Sequence, residues 1–264
     1  MRRALWIDKN EGSQGPVVVE ELRRHPAVVV RHLLEPRLAS AWATRVIEAE
    51  PWLVDDFGGE QRSLGRALYT HLENGRAHRY FQAAGHTSER FSKPAGANPS
   101  LVRGGDDVVE AVLPGMQALT RAALARLVGG VVRQRHGFCG PGVHVFPAGE
   151  KVAMRVGVFH DDLEGLTGVH VDAGARALSF VIMLQAGARR GGLTLFAKPY
   201  RGENWQMEKE PRSQRTTTTA TARDAILLSS YRRHRIHAFS GLNARKSVTC
   251  HAVEVDHKMW DCWF

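Results

Sequence analysis

Apolar positions recur at helical spacing in the first half of the chain and alternate in the second. "PVVVEELRRHPAVVV" (16–30) predicts a short helix and then a strand, divided at Pro26, where the fixed φ and missing N–H stop a helix. "EPRLASAWATRVIEAE" (35–50) places proline in a first turn and Leu38, Trp42 and Val46 four residues apart, the pattern of an amphipathic helix. "DDVVEAVLPGMQALTRAALARLVGG" (106–130) reads as helix, broken at Pro114-Gly115 and closed by Gly129-Gly130. Residues 55–105, rich in Gly, Ser, Asn and charge, read as irregular loops with short helices.

From about residue 141 the period becomes two. "GVHVFPAG", "KVAMRVGVF", "ALSFVIMLQ", "GGLTLFAK", "DAILLSS", "HRIHAF" and "RKSVTCHAVEV" are strand-like runs separated by Gly, Pro or charged turns. The polar stretch 199–223 reads as a long surface loop or flap. No internal repeat is evident. Helices followed by serial short strands predict an α+β fold, a barrel or sandwich of strands packed against N-terminal helices. A single domain over 1–264 is expected: 1–140 as mainly helical support and loops, 141–257 as barrel core, and 258–264 as a C-terminal tail.

Composition narrows the setting. The 264 residues, 43% apolar and 24% charged, are enough for a full core. No apolar run approaches the length of a membrane span, and the N-terminal one is too short for a signal-peptide core. The three cysteines, Cys139, Cys250 and Cys262, are odd in number with no C-x-x-C pair, which predicts a reduced, cytoplasmic protein. A net charge of +9 raises the question of a nucleic-acid partner, but "YRRHR" (231–235) is the one tight basic cluster. A basic pocket for an acidic small molecule accounts for the charge equally well, and a nucleic-acid partner is not expected.

Two His-x-Asp triplets, His160-Asp161-Asp162 and His170-Val171-Asp172, carry the candidate chemistry. Two histidines and one carboxylate on one face hold oxygen-activating iron(II) while leaving positions open. Either triplet could join a histidine from a distant strand, and His234 and His237 both lie in "HRIHAF". With His234 turned inward, Ile236 and Ala238 share its face; with His237 inward, Arg235 and Phe239 do. The first triplet ends a strand-like run and opens "LEGLTG", so it also reads as a solvated turn or as a rim element touching substrate.

Residues 143–255 resemble the Fe(II)/2-oxoglutarate-dependent dioxygenase superfamily. "HVD" (170–172) is followed by the buried run "ALSFVIML", then "GGLTLF", "DAILLSS", "HRI" and "ARKS", in that order. The resemblance implies a double-stranded β-helix, a jelly-roll or cupin-like barrel, with His170, Asp172 and His234 holding Fe(II). Arg245 and Ser247, an Arg-x-Ser pattern eleven residues after His234, would bind the distal carboxylate of 2-oxoglutarate. A guanidinium fork matches a carboxylate bidentately and keeps its charge where water is excluded.

On an extended strand Arg245, Ser247, Thr249 and His251 share one face, either solvent-exposed or lining the site. His160, Thr249, His251, Trp260 and Arg66 are weaker substrate candidates. Trp260 is read either as a staple for the C-terminus or as an aromatic lid. Because Asp172 is present rather than glycine or alanine, hydroxylation or a related oxidation is expected rather than halogenation. The expected activity is O2-dependent hydroxylation of an unactivated C–H bond in a small metabolite such as an amino acid or derivative. A nucleic-acid or protein demethylase with the same iron chemistry, and a non-catalytic cupin-like binding module, are the competing classes.

Overall fold

The alternating runs fold into two sheets. The structure, a computed structural model, describes residues 3–9, 16–49, 53–56, 61–67, 99–136, 138–147, 158–160, 174–187, 192–199, 215–237, 239 and 242–264. Its strands in the N-terminal part are β1 (Leu5–Asp8), β2 (Ala27–Arg31), β3 (Val54–Asp56), β4 (Gln61–Leu64) and β5 (Val131–Gln134). Then come β6 (Gly142–Phe146), β7 (Val158–His160), β8 (Ala177–Gln185), β9 (Leu193–Pro199) and β10 (Arg215–Thr218). The series closes with β11 (Ala225–Ser229), β12 (Arg232–Ile236), β13 (Arg245–Asp256) and β14 (Met259–Trp263). The helices among the described residues are α1 (Pro16–Arg24), α2 (Pro36–Glu48), α3 (Pro99–Val112) and α4 (Met116–Val128).

The large sheet runs β1-β2-β11-β8-β13-β6-β4-β3, with β14 joining β13 to β5. The small sheet runs β10-β9-β12-β7. Apart from the parallel pairs β1–β2 and β14–β5, the ladders are antiparallel. From β6 onward the chain crosses repeatedly between the sheets: β6, β8, β11 and β13 enter the large one, and β7, β9, β10 and β12 the small one.

Strand alternation gives the large sheet two different faces. Toward the helices it presents Val28, Val30, Leu178, Phe180, Ile182, Leu227, Val248 and Cys250, which pack with Trp42 and Val46 of α2 and Leu124 and Leu127 of α4. Full burial of side chains of this size stabilises the fold by about 1.5–3 kcal/mol each. Toward the small sheet it presents Val29, Phe146, Ile226 and Leu228, which meet Leu193, Leu195, Ile236 and Phe239. Helix ends follow the sequence. Pro36 stands at the start of α2, and Gly115 and Gly129 bracket α4 with φ of 74° and 63°, a region open to glycine.

Three expectations need correction. Besides the expected strand after Pro26, the first 140 residues also carry β1 and β3 to β5 in the large sheet. Within 55–105, β4 is a paired strand beside β6, with Ser63 and Leu64 fully buried. The stretch 199–223 contains β10, paired with β9. The tail after 257 is the strand β14, held between β13 and β5. In each case long-range pairing supplies order that local polarity conceals. No helix among the described residues is long and apolar enough to cross a membrane.

Candidate functional site

Arg245 opens β13 and is 7% exposed. It faces a cavity of about 50 Å³ between the sheets, bordered by Met183, Gly192, Leu193, Thr218 and Ile226. Two uncharged groups stand beside the guanidinium: Nη2 lies 4.0 Å from the Met183 sulfur, and Cζ lies 5.3 Å from the Phe146 ring centroid. Nη1 is buried with no hydrogen-bond partner among the described residues. Desolvation pushes the guanidinium down to about 10, which leaves it charged at neutral pH. A buried cation that lacks an acceptor costs roughly several kcal/mol.

A second buried donor borders the same cavity. Thr218 is 4% exposed, and its Oγ1 has no hydrogen-bond partner among the described residues. Alternation along β10 turns Thr216 and Thr218 inward and leaves Thr217 exposed. The sequence reading passed over this residue because it lay in a stretch taken for a polar loop. The signal was present in "RTTTTAT", since consecutive β-branched threonines favour extended backbone.

His234 is buried on the inward face of β12 together with Ile236. It pairs across the ladder with Leu195 of β9 on one side and with His160 of β7 on the other. His237 turns the other way, and its Nε2 lies 2.5 Å from Oγ1 of Thr194, itself beside the exposed Thr217. Burial, then the charges of Arg235 and Arg245, lower the His237 pKa. His170 and Asp172 lie outside the described residues, as do Asp161 and Asp162; His160 is described by its backbone register alone. Among the described residues no three His, Cys, Asp or Glu side chains gather as a metal cluster.

The remaining candidates are dispersed. Ser247 and Thr249 are buried on the Arg245 side of β13, but neither borders the cavity. His251, half-buried on that face, meets Oγ of Ser179 through Nδ1 at 3.0 Å and stands six residues, about 20 Å, from Arg245. Trp260 is 1% exposed within the helix-side core, opposite Glu254 in register, with Arg176 over its ring. That position staples β14 onto the sheet, on the far side from Arg245. The inward aromatic of β14 is Trp263, opposite His251. Arg66 lies against Gly105 of α3 and the Cys139 sulfur, away from the cavity.

One inward side chain has no counterpart in the sequence reading. His144 of β6 lies between Ser63 and Ser247 in register. Its Nδ1 accepts from Nε2 of Gln61 at 2.8 Å, and its ring stands 4.6 Å from that of Phe264. The cysteines are free and buried; burial pushes the Cys139 and Cys262 thiols up to about 12, and that of Cys250 upward, which leaves them unreactive.

The chain is similar in fold to a solved dioxygenase structure. An N-substituted L-amino acid dioxygenase from Burkholderia ambifaria AMMD, in complex with alpha-KG, overlaps it with a TM-score of 0.53 at 10% identity, covering 94% of this chain and 91% of that one. A 2OG-Fe(II) oxygenase family oxidoreductase from Burkholderia pseudomallei gives 0.47 at 12% identity over 93% and 92%. The epimerase SnoN, in complex with Fe3+, alpha ketoglutarate and nogalamycin RO, gives 0.46 at 17% identity over 90% and 87%. No family model and no curated protein matches the chain by sequence. At these identities the likeness is one of fold: mixed helices and strands built around a large, mainly antiparallel sheet.

Proposed function

We propose that this chain is an Fe(II)- and 2-oxoglutarate-dependent oxygenase that hydroxylates a C–H bond of a small metabolite, an amino acid or derivative among the first candidates. The observation that carries this reading is the buried Arg245 guanidinium, which faces a cavity between the sheets with an unpartnered Nη1. The alternation of strands between sheets supports a double-stranded β-helix, with Arg245 on its closing strand and His234 in the small sheet. The dioxygenase of similar fold, in complex with alpha-KG, supports the same assignment.

The buried Arg245 guanidinium, with Nη1 unpartnered among the described residues, fits the anion it would hold. Arg245 would receive the distal carboxylate of 2-oxoglutarate, and His170, Asp172 and His234 would hold the metal. Iron with 2-oxoglutarate supplies the oxidising chemistry with O2, yielding succinate and CO2. The chain's own part is to anchor the diacid in a water-poor cavity lined by Met183, Leu193 and Ile226 and so fix its orientation.

The ladder favours a second reading of the metal ligands. His160, the last residue of β7, stands opposite His234 in register, so the first triplet begins at the buried histidine's cross-strand neighbour. His160 and Asp162 would then replace His170 and Asp172.

Iron content and succinate release from 2-oxoglutarate separate these readings. Purified protein supplied with Fe(II) and O2 should form succinate, and His234→Ala should lose both iron and turnover. Loss of iron in Asp172→Ala but not Asp162→Ala supports the second triplet; the reverse assigns the first. Failure of the wild-type protein to bind iron or release succinate across a metabolite panel returns it to the class of non-catalytic binding modules.

A further inference from the structure

We infer that His237, on the outer side of the small sheet, is a positioning residue that braces the wall of the Arg245 cavity and couples anion uptake there to protonation of its own ring. This deepens the oxygenase reading and rests on it.

The cavity is bounded at one end by contacts between two segments. Gly187 and Gly192 both border it, and each is backed by a side chain from the segment that follows β12. A Cβ on Gly187 would stand 2.6 Å from the Phe239 ring, and one on Gly192 would stand 2.9 Å from Nδ1 of His237. Both glycines therefore lie flush against these side chains. His237 also donates its backbone N–H to the Gly192 carbonyl at 2.9 Å, and its Nε2 meets Oγ1 of Thr194. Between those two anchor points stands Leu193, whose side chain turns inward and borders the cavity. One half-buried imidazole thus grips the outside of the strand segment whose inside is the cavity wall.

The same ring lies in the field of the cation inside. The charged groups that act on it among the described residues are Arg235 of its own strand and Arg245 of β13. β9 presents it with Thr194, and β10, behind that hydroxyl, with Thr217, both uncharged. Burial first, and then the two guanidinium groups, hold its pKa below the ordinary histidine value. An anion seated against Arg245 cancels part of that repulsion, so filling the cavity makes His237 easier to protonate. Linkage is reciprocal, and a proton on His237 tightens anion binding by the same factor. Uptake therefore strengthens as pH falls through the range between the empty-cavity and filled-cavity values, and this ring adds nothing above it. Protonation also makes Nε2 a donor to Thr194, which firms the grip on β9 in the state that binds the anion.

Proton NMR of the His237 ring, its signal assigned by loss in His237→Gln, tests the coupling directly. Arg245→Met should raise the pKa of His237, and 2-oxoglutarate added to Zn(II)-loaded wild-type protein should raise it too. Calorimetry of 2-oxoglutarate binding in two buffers of different ionisation enthalpy should find proton uptake at about pH 6. His237→Gln, which keeps a donor for Thr194 but does not titrate, should lack that uptake. The affinity advantage of wild type over this variant should grow on the order of threefold between about pH 8 and pH 6. A His237 pKa that neither Arg245→Met nor 2-oxoglutarate moves overturns the coupling and, with 2-oxoglutarate still bound, leaves the oxygenase reading standing. Equal pH dependence of binding in wild type and His237→Gln overturns it as well, because the ring then supports the strand and nothing more. Failure of Zn(II)-loaded wild-type protein to bind 2-oxoglutarate overturns both.

Discussion

Arg245 and Lys246 are adjacent cations on β13, both nearly inaccessible, and they point to opposite sides of the sheet. Lys246, 2% exposed, turns toward the helix layer, where its Nζ donates to Oε1 of Gln185 at 2.7 Å. Beyond it on that face stand Val248, Cys250 and Ala252, all in the helix-side core. Arg245 turns toward the small sheet, meets a thioether and a ring, and keeps a buried N–H without an acceptor among the described residues. A second buried charged residue, Asp224, resembles Lys246 in being satisfied locally. Asp224, 3% exposed, accepts from the backbone N–H groups of His32 and Thr221 and from the Thr221 hydroxyl. The difference is between two neighbours on one strand: the Lys246 ammonium has a side-chain acceptor, and the Arg245 Nη1 has none among the described residues.

The sharpest way to break this contrast is to damage each side separately. Trp260→Ala empties a large volume on the helix side and should cost about 3–5 kcal/mol of stability, read from urea unfolding. Whatever protein remains folded should still bind 2-oxoglutarate. Arg245→Met should do the opposite. Loss of a buried charge partner typically costs 2–5 kcal/mol of binding, so 2-oxoglutarate affinity should fall about thirtyfold or more. The ligand-free protein should gain stability, because methionine removes an uncompensated charge without leaving a void. An Arg245→Met variant as unstable as Trp260→Ala would place the guanidinium among the structural groups.

The pH response follows from the same asymmetry. Arg245 sits at about 10 in the folded chain, well below the ordinary guanidinium value, so its charge destabilises the fold below pH 10. That cost fades as pH rises beyond about 10, where the unfolded chain binds the extra proton. Affinity for 2-oxoglutarate should be flat through pH 7–9 and decline above about 10, because the cavity is losing its cation.

Legibility in the sequence tracks the kind of force that makes each element. "ALSFVIMLQ" matches β8 residue for residue because nine apolar-rich positions need no context to read as a buried strand. Helices α1, α2 and α4 were marked by Pro26 beyond the end of α1, Pro36 at the start of α2 and the glycines around α4, all local devices. Strands β4 and β10 were not legible: "QRSL" and "RTTT" carry no apolar alternation, and their order comes from neighbours 83 and 19 residues away, Val145 opposite Arg62 and Phe196 opposite Arg215. The site divides in the same way. Arg245 and His234 lie in ordered motifs, whereas Thr218 and His144 become conspicuous when the sheets place them beside Arg245 and Ser247.

The smallest expected effect is the most discriminating control. Lys246→Met replaces a satisfied cation on the helix side with an apolar side chain of similar length. It removes one hydrogen bond, leaves Oε1 of Gln185 without that donor, and relieves a charge whose pKa burial has already lowered. The loss of the bond, about 1 kcal/mol, is offset in part by better packing, so the midpoint of unfolding should shift little in either direction. Affinity for 2-oxoglutarate should not change, because Lys246 points away from the cavity its neighbour faces. If Lys246→Met weakened binding as Arg245→Met does, the two faces of β13 would not be separate, and positive charge near the cavity, rather than the geometry of one guanidinium, would explain anion uptake.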